Sequence, residues 1–346
     1  MEKTVNYILL RWYHKNKRNL PWRKIHSNNL PDPYYVFVSE FMLQQTTVNT
    51  VKERFIKFIH KWPNISKLAL ANESQILKFW SGLGYYTRAR NLLKAAKIIH
   101  KDFNNFIPKK YEDLISLPGV GDYTAKAILG IAYNQQVFPT DANIERIIVR
   151  LFAIKEPITK IKGKLRQLAE NFISKNESSN IIQSFMDYGS LICVPRNPKC
   201  EICKIKNFCN SKKNNLQLLL PLKIKKELKK PKKYTRAYVL VNEKNEILVR
   251  NRPSKGMLAS MLEVPNDIWV KNKRLLTNDL FIQKLKPRLF HKGYVHYSFS
   301  HFDLETEIYL GKVRKTKLSN SRWIKKSSYS KSGLPTIMKK IVEKAI

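Results

Sequence analysis

All four cysteines of this 346-residue chain lie in one short stretch, CVPRNPKCEICKIKNFC. They are Cys193, Cys200, Cys203 and Cys209, in the spacing Cys-x6-Cys-x2-Cys-x5-Cys. Four thiolates in one loop can ligate either a zinc ion or a [4Fe–4S] cluster. Structural zinc sites more often use two Cys-x2-Cys pairs separated by a longer loop, so the spacing modestly favours the cluster. Such close grouping argues against four unrelated buried thiols.

A second stretch, SLPGVGDYTAKAIL, has the composition of a phosphate-binding turn. Gly119 and Gly121 allow the backbone to turn tightly and to approach a ligand closely. The helix predicted after them would present free N–H groups that suit a phosphate. A simple turn between two helices is the alternative explanation of a Gly-x-Gly pair. If the phosphate belongs to a nucleic acid, binding of this kind would position the backbone without reading its sequence.

Two carboxylates lie in segments that could carry chemistry. Asp141, in VFPTDANIERIIVRL, comes twenty positions after Gly121. It precedes a helical pattern, so Asp141 or Thr140 could simply cap that helix. Glu40 lies in VSEFMLQQTTVNTV, where the alternative is an exposed acid at the start of a helix.

The elements that must position these groups fall into three parts. Residues 1–210 have apolar residues at helical spacing, as in TTVNTVKERFIKFIHKW and ARNLLKAAKIIHKDF. Residues 211–236 hold nine Lys and one Arg against one Glu, which predicts a linker, either a solvated tether or a segment laid along an anion. Residues 237–346 predict an α+β domain, with a hairpin turn at Asn242 to Asn245 and a closing helix in LPTIMKKIVEKAI.

Composition sets the broad class. At 43% hydrophobic residues the chain can bury real cores, and no apolar run approaches a membrane helix. The formal net charge of +39 predicts a polyanionic partner, most simply nucleic acid. Because most basic residues are lysine, the bias of an AT-rich genome is an alternative source of this charge. We expect an intracellular, cytoplasmic protein, associated with the nucleoid through DNA, in which clustered cysteines hold a metal.

The sequence resembles the adenine DNA glycosylases, the MutY family, within the endonuclease III or helix-hairpin-helix superfamily. The resemblance covers residues 5–210 almost continuously and continues in FSHFDL further on. It implies a mainly α, N-terminal helix-hairpin-helix glycosylase domain with an iron–sulfur loop, and an α+β, Nudix-like C-terminal domain. The segments that carry it are LPWR, VSEFMLQQTTVNTV, GLGYYTRARNL, LPGVG, FMDYGSLIC and the cysteine loop.

The resemblance also implies the chemistry. The four cysteines would hold a [4Fe–4S] cluster that is structural and contacts DNA. Glu40 would be the general acid that protonates N7 of adenine, which calls for a carboxyl of raised pKa. Asp141, kept ionised, would stabilise the oxocarbenium-like sugar or bond to it transiently. Tyr123 would hydrogen-bond this pair.

The residue at position 123 decides the predicted reaction type. Members of the superfamily that also nick the strand carry a Lys there, whose amine forms a Schiff base with the sugar. A phenol cannot do this, so Tyr123 predicts base removal without strong lyase action. We expect Lys126, one helical turn further on, to be an exposed basic residue.

Further residues match positions at which the family contacts DNA. They would wedge into the duplex, stack beside the estranged base, line the adenine pocket, hold the backbone, or read the base opposite adenine. We predict such contacts for Trp22, Arg23, Leu43, Gln44, Gln45, Thr46, Tyr85, Gly119, Gly121, Asn143, Asp187, Phe299, Ser300 and His301.

Three departures from the family pattern affect specificity rather than chemistry. Residues 256–262 read GMLASML in place of a Gly/Trp-rich run, Ala142 replaces the usual Gly, and segment 24–32 carries extra residues. The predicted substrate is duplex DNA with adenine opposite 8-oxoguanine or guanine, bound by a monomer. The alternatives are a glycosylase/lyase for oxidised pyrimidines, against which Tyr123 argues, and a DNA-binding module without catalysis.

Overall fold

The computed structural model describes residues 1–25, 29–222, 230–253, 256–316 and 318–346. Contacts divide the chain into two compact units, Met1–Ala71 with Thr87–Lys226, and Asn72–Tyr86 with Glu227–Ile346. The predicted domain limits stay a prediction, and no sequence pattern indicated that residues 72–86 would group with the C-terminal part. Within the described ranges, no helix is long and apolar enough to cross a membrane.

The first unit is helical. Among its described residues, helices and the loops between them therefore carry the polar groups. Its helices are α1 (Glu2–Asn16), α2 (Pro33–Leu43), α3 (Val48–Lys61), α4 (Ile65–Ala69), α6 (Thr87–Asp102), α7 (Tyr111–Ser116), α8 (Asp122–Tyr133), α9 (Ala142–Leu151), α10 (Lys162–Glu170), α11 (Ser178–Leu191) and α12 (Asn210–Lys213).

Helix α11 is the central element of the first unit. It packs against α1, α8 and α9, and ten of its residues are buried. Small residues allow these close approaches, since a Cβ on Gly189 would lie 2.7 Å from the Cβ of Asn143 on α9. Through this close contact, α11 holds the N-terminal end of α9 in place.

The first part of the segment after the cysteine loop, up to Pro221, packs against the helices of the first unit. Ser211 and Leu220 are almost fully buried. The buried Arg150 of α9 donates from Nε to the carbonyl oxygen of Leu220 at 2.9 Å. Residues 223–229, in the predicted linker, lie outside the described residues. The part of the linker up to Pro221 is thus anchored and is not a free tether.

The second unit contains a mixed sheet with a helix on each face. The sheet order is β3-β2-β1-β5-β4, with β6 paired to β2, and β1 runs parallel to β5. One face packs on α14 and the other on α13. The elements are α5 (Glu73–Trp80), β1 (Lys232–Val241), β2 (Glu246–Asn251), β3 (Leu262–Glu263), α13 (Leu280–Leu285), β4 (Leu289–Ser298), β5 (Asp303–Lys312), β6 (Ser321–Lys325) and α14 (Thr336–Ala345).

The hairpin predicted at Asn242 to Asn245 is present. Strands β1 and β2 pair antiparallel with Val241 opposite Ile247. The side-chain oxygen of Asn242 accepts from the backbone N–H of Glu246 at 2.9 Å, and Asn245 has a φ of 54°, the left-handed region that Asn tolerates. The predicted closing helix is α14. The predicted α+β class of this part is therefore confirmed.

Candidate active site

Asp141 caps the N-terminus of α9. Its Oδ1 accepts from the backbone N–H groups of Asn143 at 2.9 Å and Ile144 at 2.7 Å, and its Oδ2 accepts from Asn143 Nδ2 at 2.8 Å. Burial raises the pKa of Asp141, and these hydrogen bonds oppose that rise. Capping and a chemical role are compatible here, because the cap fixes the carboxylate at the wall of a cavity.

Glu40 lies on α2 and is only 7% exposed. Burial raises its pKa to about 7, while a hydrogen bond with Tyr123 lowers it and the nearby charge of Asp141 raises it further. Tyr123, the second residue of α8, has a pKa well above its ordinary value because it is buried beside these carboxyls. The two carboxyls and the phenol are thus electrostatically coupled, with Glu40 held as an acid near neutral pH.

These three side chains line one cavity of about 550 Å³. Of the predicted contact residues, seven more line it: Trp22, Arg23, Leu43, Gln44, Gln45, Thr46 and Asn143. Ala142 also lines it, as the first residue of α9, where a helical backbone accepts Ala without strain. Asp32, at the end of the 24–32 segment, caps α2. Residues 26–28 of that segment lie outside the described residues.

Asp187 is completely buried beneath this cavity and organises two arginines. Arg23 binds it with both terminal nitrogens at 2.8 Å, and Arg18 donates from Nε at 2.6 Å and from its backbone N–H at 3.0 Å. Burial would raise the pKa of Asp187, but the hydrogen bonds and charges of Arg23 and Arg18 outweigh it and lower the pKa. Asp187 therefore orients cavity-lining cations rather than lining the cavity itself.

Sequence reasoning missed Arg18 and Gln183, both of which line the cavity. Gln183 is 3% exposed, and its Nε2 donates to the carbonyl and hydroxyl oxygens of Ser179 at 3.2 Å. Its Oε1 is buried and has no hydrogen-bond partner among the described residues. A signal existed, since Gln183 precedes Asp187 by one helical turn on α11 and so shares its face.

The glycine turn joins α7 to α8. Gly119 has a φ of +83°, and a Cβ there would lie 2.7 Å from Asn91 Cβ and 2.8 Å from a ring carbon of Phe41, so the turn requires glycine. Gln44 donates to the carbonyl of Gly119 at 3.3 Å. Lys126 differs from the expectation, because its side chain is only 21% exposed and pairs with Asp122 at 3.4 Å.

The four cysteines line a second, small cavity of about 30 Å³. None is in a disulfide. Arg150 donates to Cys193 Sγ at 3.3 Å and Tyr188 Oη donates to Cys203 Sγ at 3.4 Å, so hydrogen-bond donors face two of the sulfurs. No described set of His, Cys, Asp or Glu is arranged to hold a single metal ion. Four thiols around one space are the ligand set of an iron–sulfur cluster, and hydrogen-bond donors to the sulfurs suit it.

In the second unit, Tyr85 and Ser300 meet. Their hydroxyls lie 2.8 Å apart, and Tyr85 is 48% exposed with a φ of 47°. His301 is also exposed. Phe299 instead packs in an aromatic group with Phe302 at 4.9 Å and Tyr297 at 4.8 Å between ring centres. In the Phe-Ser-His element, Ser300 and His301 are thus exposed, while Phe299 packs in the aromatic group.

Comparison with known proteins decides the family. A family model described as HhH-GPD superfamily base excision DNA repair protein matches residues 38–175. The adenine DNA glycosylase of Buchnera aphidicola subsp. Schizaphis graminum is 35% identical over 97% of each chain, and that of Buchnera aphidicola subsp. Baizongia pistaciae is 37% identical over 82% of each. The chain belongs to the adenine DNA glycosylase family. The human adenine DNA glycosylase is 29% identical over 96% of this chain and 72% of its own length.

The other matches agree with the two parts of this glycosylase. A model described as the iron–sulfur binding domain of endonuclease III matches residues 193–209, and a NUDIX domain model matches residues 236–344. A thermostable thymine-DNA glycosylase is 27% identical, with a TM-score of 0.55 over 62% of this chain and 97% of that chain. The predicted family, fold class and iron–sulfur cofactor are confirmed. The enzyme is a DNA glycosylase of base excision repair.

Enlarging Gly189 is expected to impair the enzyme through α9. In Gly189→Ala the new Cβ would lie 2.7 Å from Asn143 Cβ, which forces α11 and the Asp141 cap apart. We expect about 1–3 kcal/mol lower free energy of unfolding and a slower excision step, measured by denaturant titration and single-turnover assays. Gly163→Ala on α10 is the control, since nothing lies within 4 Å of its Cβ. Equal behaviour of the two variants would contradict the prediction.

Proposed function

We propose that this enzyme removes adenine mispaired with 8-oxoguanine or guanine from duplex DNA, by hydrolysis of the N-glycosidic bond and without strong lyase action. The observation that carries the proposal is the coupled set of Glu40, Tyr123 and Asp141 in one cavity, with the pKa of Glu40 raised to about 7. Such a carboxyl can donate a proton near neutral pH, which adenine needs in order to leave.

The reaction follows from these groups. The target base must leave the duplex stack to enter the cavity. Glu40 gives its proton to N7 of adenine while the bond between the sugar carbon and the base nitrogen breaks. The carboxylate of Asp141 stabilises the positive charge that develops on the sugar. Water then adds to the sugar carbon and gives a proton to the Glu40 carboxylate, which restores the acid and leaves an abasic site in an intact strand.

The choice of adenine rests on Gln183. Its Oε1, which has no hydrogen-bond partner within the part of the chain that the structure describes, can accept from the exocyclic amino group of adenine. Guanine carries a carbonyl oxygen at the corresponding position, so the two acceptors would face each other without a hydrogen bond. Arg23 and Arg18, held by Asp187, supply fixed donors at the same wall.

Reading of the opposite base is proposed for the C-terminal part. We assign excision to residues 1–210 and recognition to residues 237–346, joined by the basic segment 211–236. Ser300, held at 2.8 Å from the Tyr85 hydroxyl, and the exposed His301 can hydrogen-bond the altered edge of 8-oxoguanine. We propose that the enzyme acts on DNA as a monomer.

The cysteine loop would hold the cluster through Cys193, Cys200, Cys203 and Cys209, and when bound the cluster orders this loop for contact with DNA. Arg146 of α9 supports the loop from the catalytic side. It donates to the carbonyl oxygen of Cys193 at 2.7 Å and to Asn143 Oδ1 at 2.9 Å. The four cysteines therefore suit an iron–sulfur cluster, and Arg146 connects their loop to Asn143 at the Asp141 cap.

The test uses end-labelled duplexes with adenine opposite 8-oxoguanine, guanine, cytosine or thymine. Cleavage confined to the first two duplexes, and seen only after alkali, supports the proposal. Cleavage without alkali in nuclease-free protein would contradict the hydrolytic mechanism and indicate an amine nucleophile. A parallel duplex with thymine opposite guanine tests the base, since thymine release would contradict the choice of adenine.

A further inference from the structure

Tyr188 of α11 connects the helix of the base pocket to the cysteine loop. It is completely buried. Its hydroxyl donates to Cys203 Sγ at 3.4 Å and accepts the backbone N–H of Lys204 at 2.7 Å. Its ring packs edge-on against Trp12, with 4.8 Å between ring centres. The phenol is therefore fixed on three sides and its proton points at a cluster ligand.

A donor in this position acts on the charge of the cluster. Hydrogen bonds to the cysteine sulfurs are among the features that set the reduction potential of an iron–sulfur cluster. The reduced cluster carries one more negative charge than the oxidised cluster, so a donor to sulfur stabilises the reduced state more. The N–H of Lys204 polarises the hydroxyl and strengthens its donation.

We propose that the Tyr188 hydroxyl raises the reduction potential of the iron–sulfur cluster by donating to Cys203, and so protects the cluster from one-electron oxidation. Arg150 faces Cys193 in a similar way, but it also holds the carbonyls of Val194, Pro195 and Leu220. Its removal would disrupt the loop. Tyr188 is the donor whose effect can be separated, because Phe keeps the ring and its packing.

The test is an equilibrium redox titration of the iron-loaded Tyr188→Phe protein, followed by visible absorption. At the potential where half of the wild-type clusters are oxidised, we expect the ratio of oxidised to reduced clusters to rise about tenfold, a lowering of about 59 mV for one electron. Tyr34→Phe is the matched control. Tyr34 is also buried, and its hydroxyl donates to the carbonyl of Trp62 at 2.6 Å, away from the cysteines.

Tyr188→Phe also loses the hydrogen bond from the N–H of Lys204. A second variant therefore tests whether the effect is purely structural. Fluorotyrosine at position 188 keeps both hydrogen bonds and makes the phenol a stronger donor, so the midpoint should move upward. A wild-type midpoint in Tyr188→Phe, with only faster loss of iron, would overturn the proposal. If that variant fails to hold its cluster, an unchanged midpoint in the fluorotyrosine protein would overturn it instead.

Discussion

Replacing Asp141 with Asn is expected to slow adenine excision by about 10³-fold or more, with the fold and DNA binding retained. The variant removes the anion proposed to stabilise the sugar cation. It keeps the cap, because an Asn side-chain oxygen can accept the same N–H groups of Asn143 and Ile144. Single-turnover excision and a binding titration on the same duplex measure the two properties separately.

The control for Asp141 is another capping aspartate in the same unit. Asp32 accepts from the N–H groups of Tyr34 at 2.8 Å and Tyr35 at 3.3 Å. Asp32→Asn makes the same change in charge and in cap, so it should excise adenine at close to the wild-type rate. Equal losses in the two variants would mean that capping, and not the charge at the sugar, is what the reaction requires.

Replacing Glu40 with Gln is expected to slow excision by about 10²–10⁴-fold, because the amide cannot give a proton to the leaving base. The wild-type rate should also depend on pH. The pKa of Glu40 is raised to about 7, so the acid form is lost as pH rises through about 7, and the rate should then fall about tenfold per pH unit. Glu53→Gln on α3, an exposed glutamate, serves as the control. A pH profile that is flat from pH 6 to 9 in the wild-type enzyme would contradict the assignment of Glu40 as the acid.

The same variant gives a stability test that does not depend on catalysis. The folded pKa of about 7 lies above the ordinary value of 4.5, so Glu40 stabilises the fold most at low pH, and this stability is lost as pH rises to about 7. The loss amounts to about 3 kcal/mol over that interval. Denaturant titrations at pH 5 and pH 8 should show this decrease in the wild-type protein and its absence in Glu40→Gln.

The parts of the site that sequence predicted are those with a local signature. The cysteine spacing, the glycine turn and the two carboxylates each stand in a short motif, and the structure brings Glu40, Tyr123 and Asp141 to one cavity. Arg18 and Gln183 have no such motif. From the sequence alone, Arg18 near the end of α1 would be interpreted as a solvent-exposed cation. Only the fold brings its buried partner Asp187 beside it.

Other differences concern side-chain pairings, one within a helix and one between distant segments. Lys126 reads as an exposed cation on α8, but its own helix provides Asp122 one turn earlier, where Arg166 of α10 also lies at 3.5 Å. Tyr188 lies within FMDYGSLIC, a segment that resembles the family, yet its hydrogen bond to Cys203 depends on how the cysteine loop folds back onto α11. The i,i+4 pair of Lys126 and Asp122 could have been found from the sequence, whereas the pairing of Tyr188 with Cys203 needs the tertiary fold.

The packed segment after the cysteine loop, up to Pro221, determines how short a folded excision fragment can be. Leu220 is almost fully buried and its carbonyl satisfies Arg150, the arginine that also faces Cys193. A version ending at residue 210 would leave that buried cation short of an acceptor and open the cluster cavity, where Gln217 forms part of the wall. A stand-alone excision fragment should therefore extend through Pro221, and one ending at residue 210 should lose its iron first.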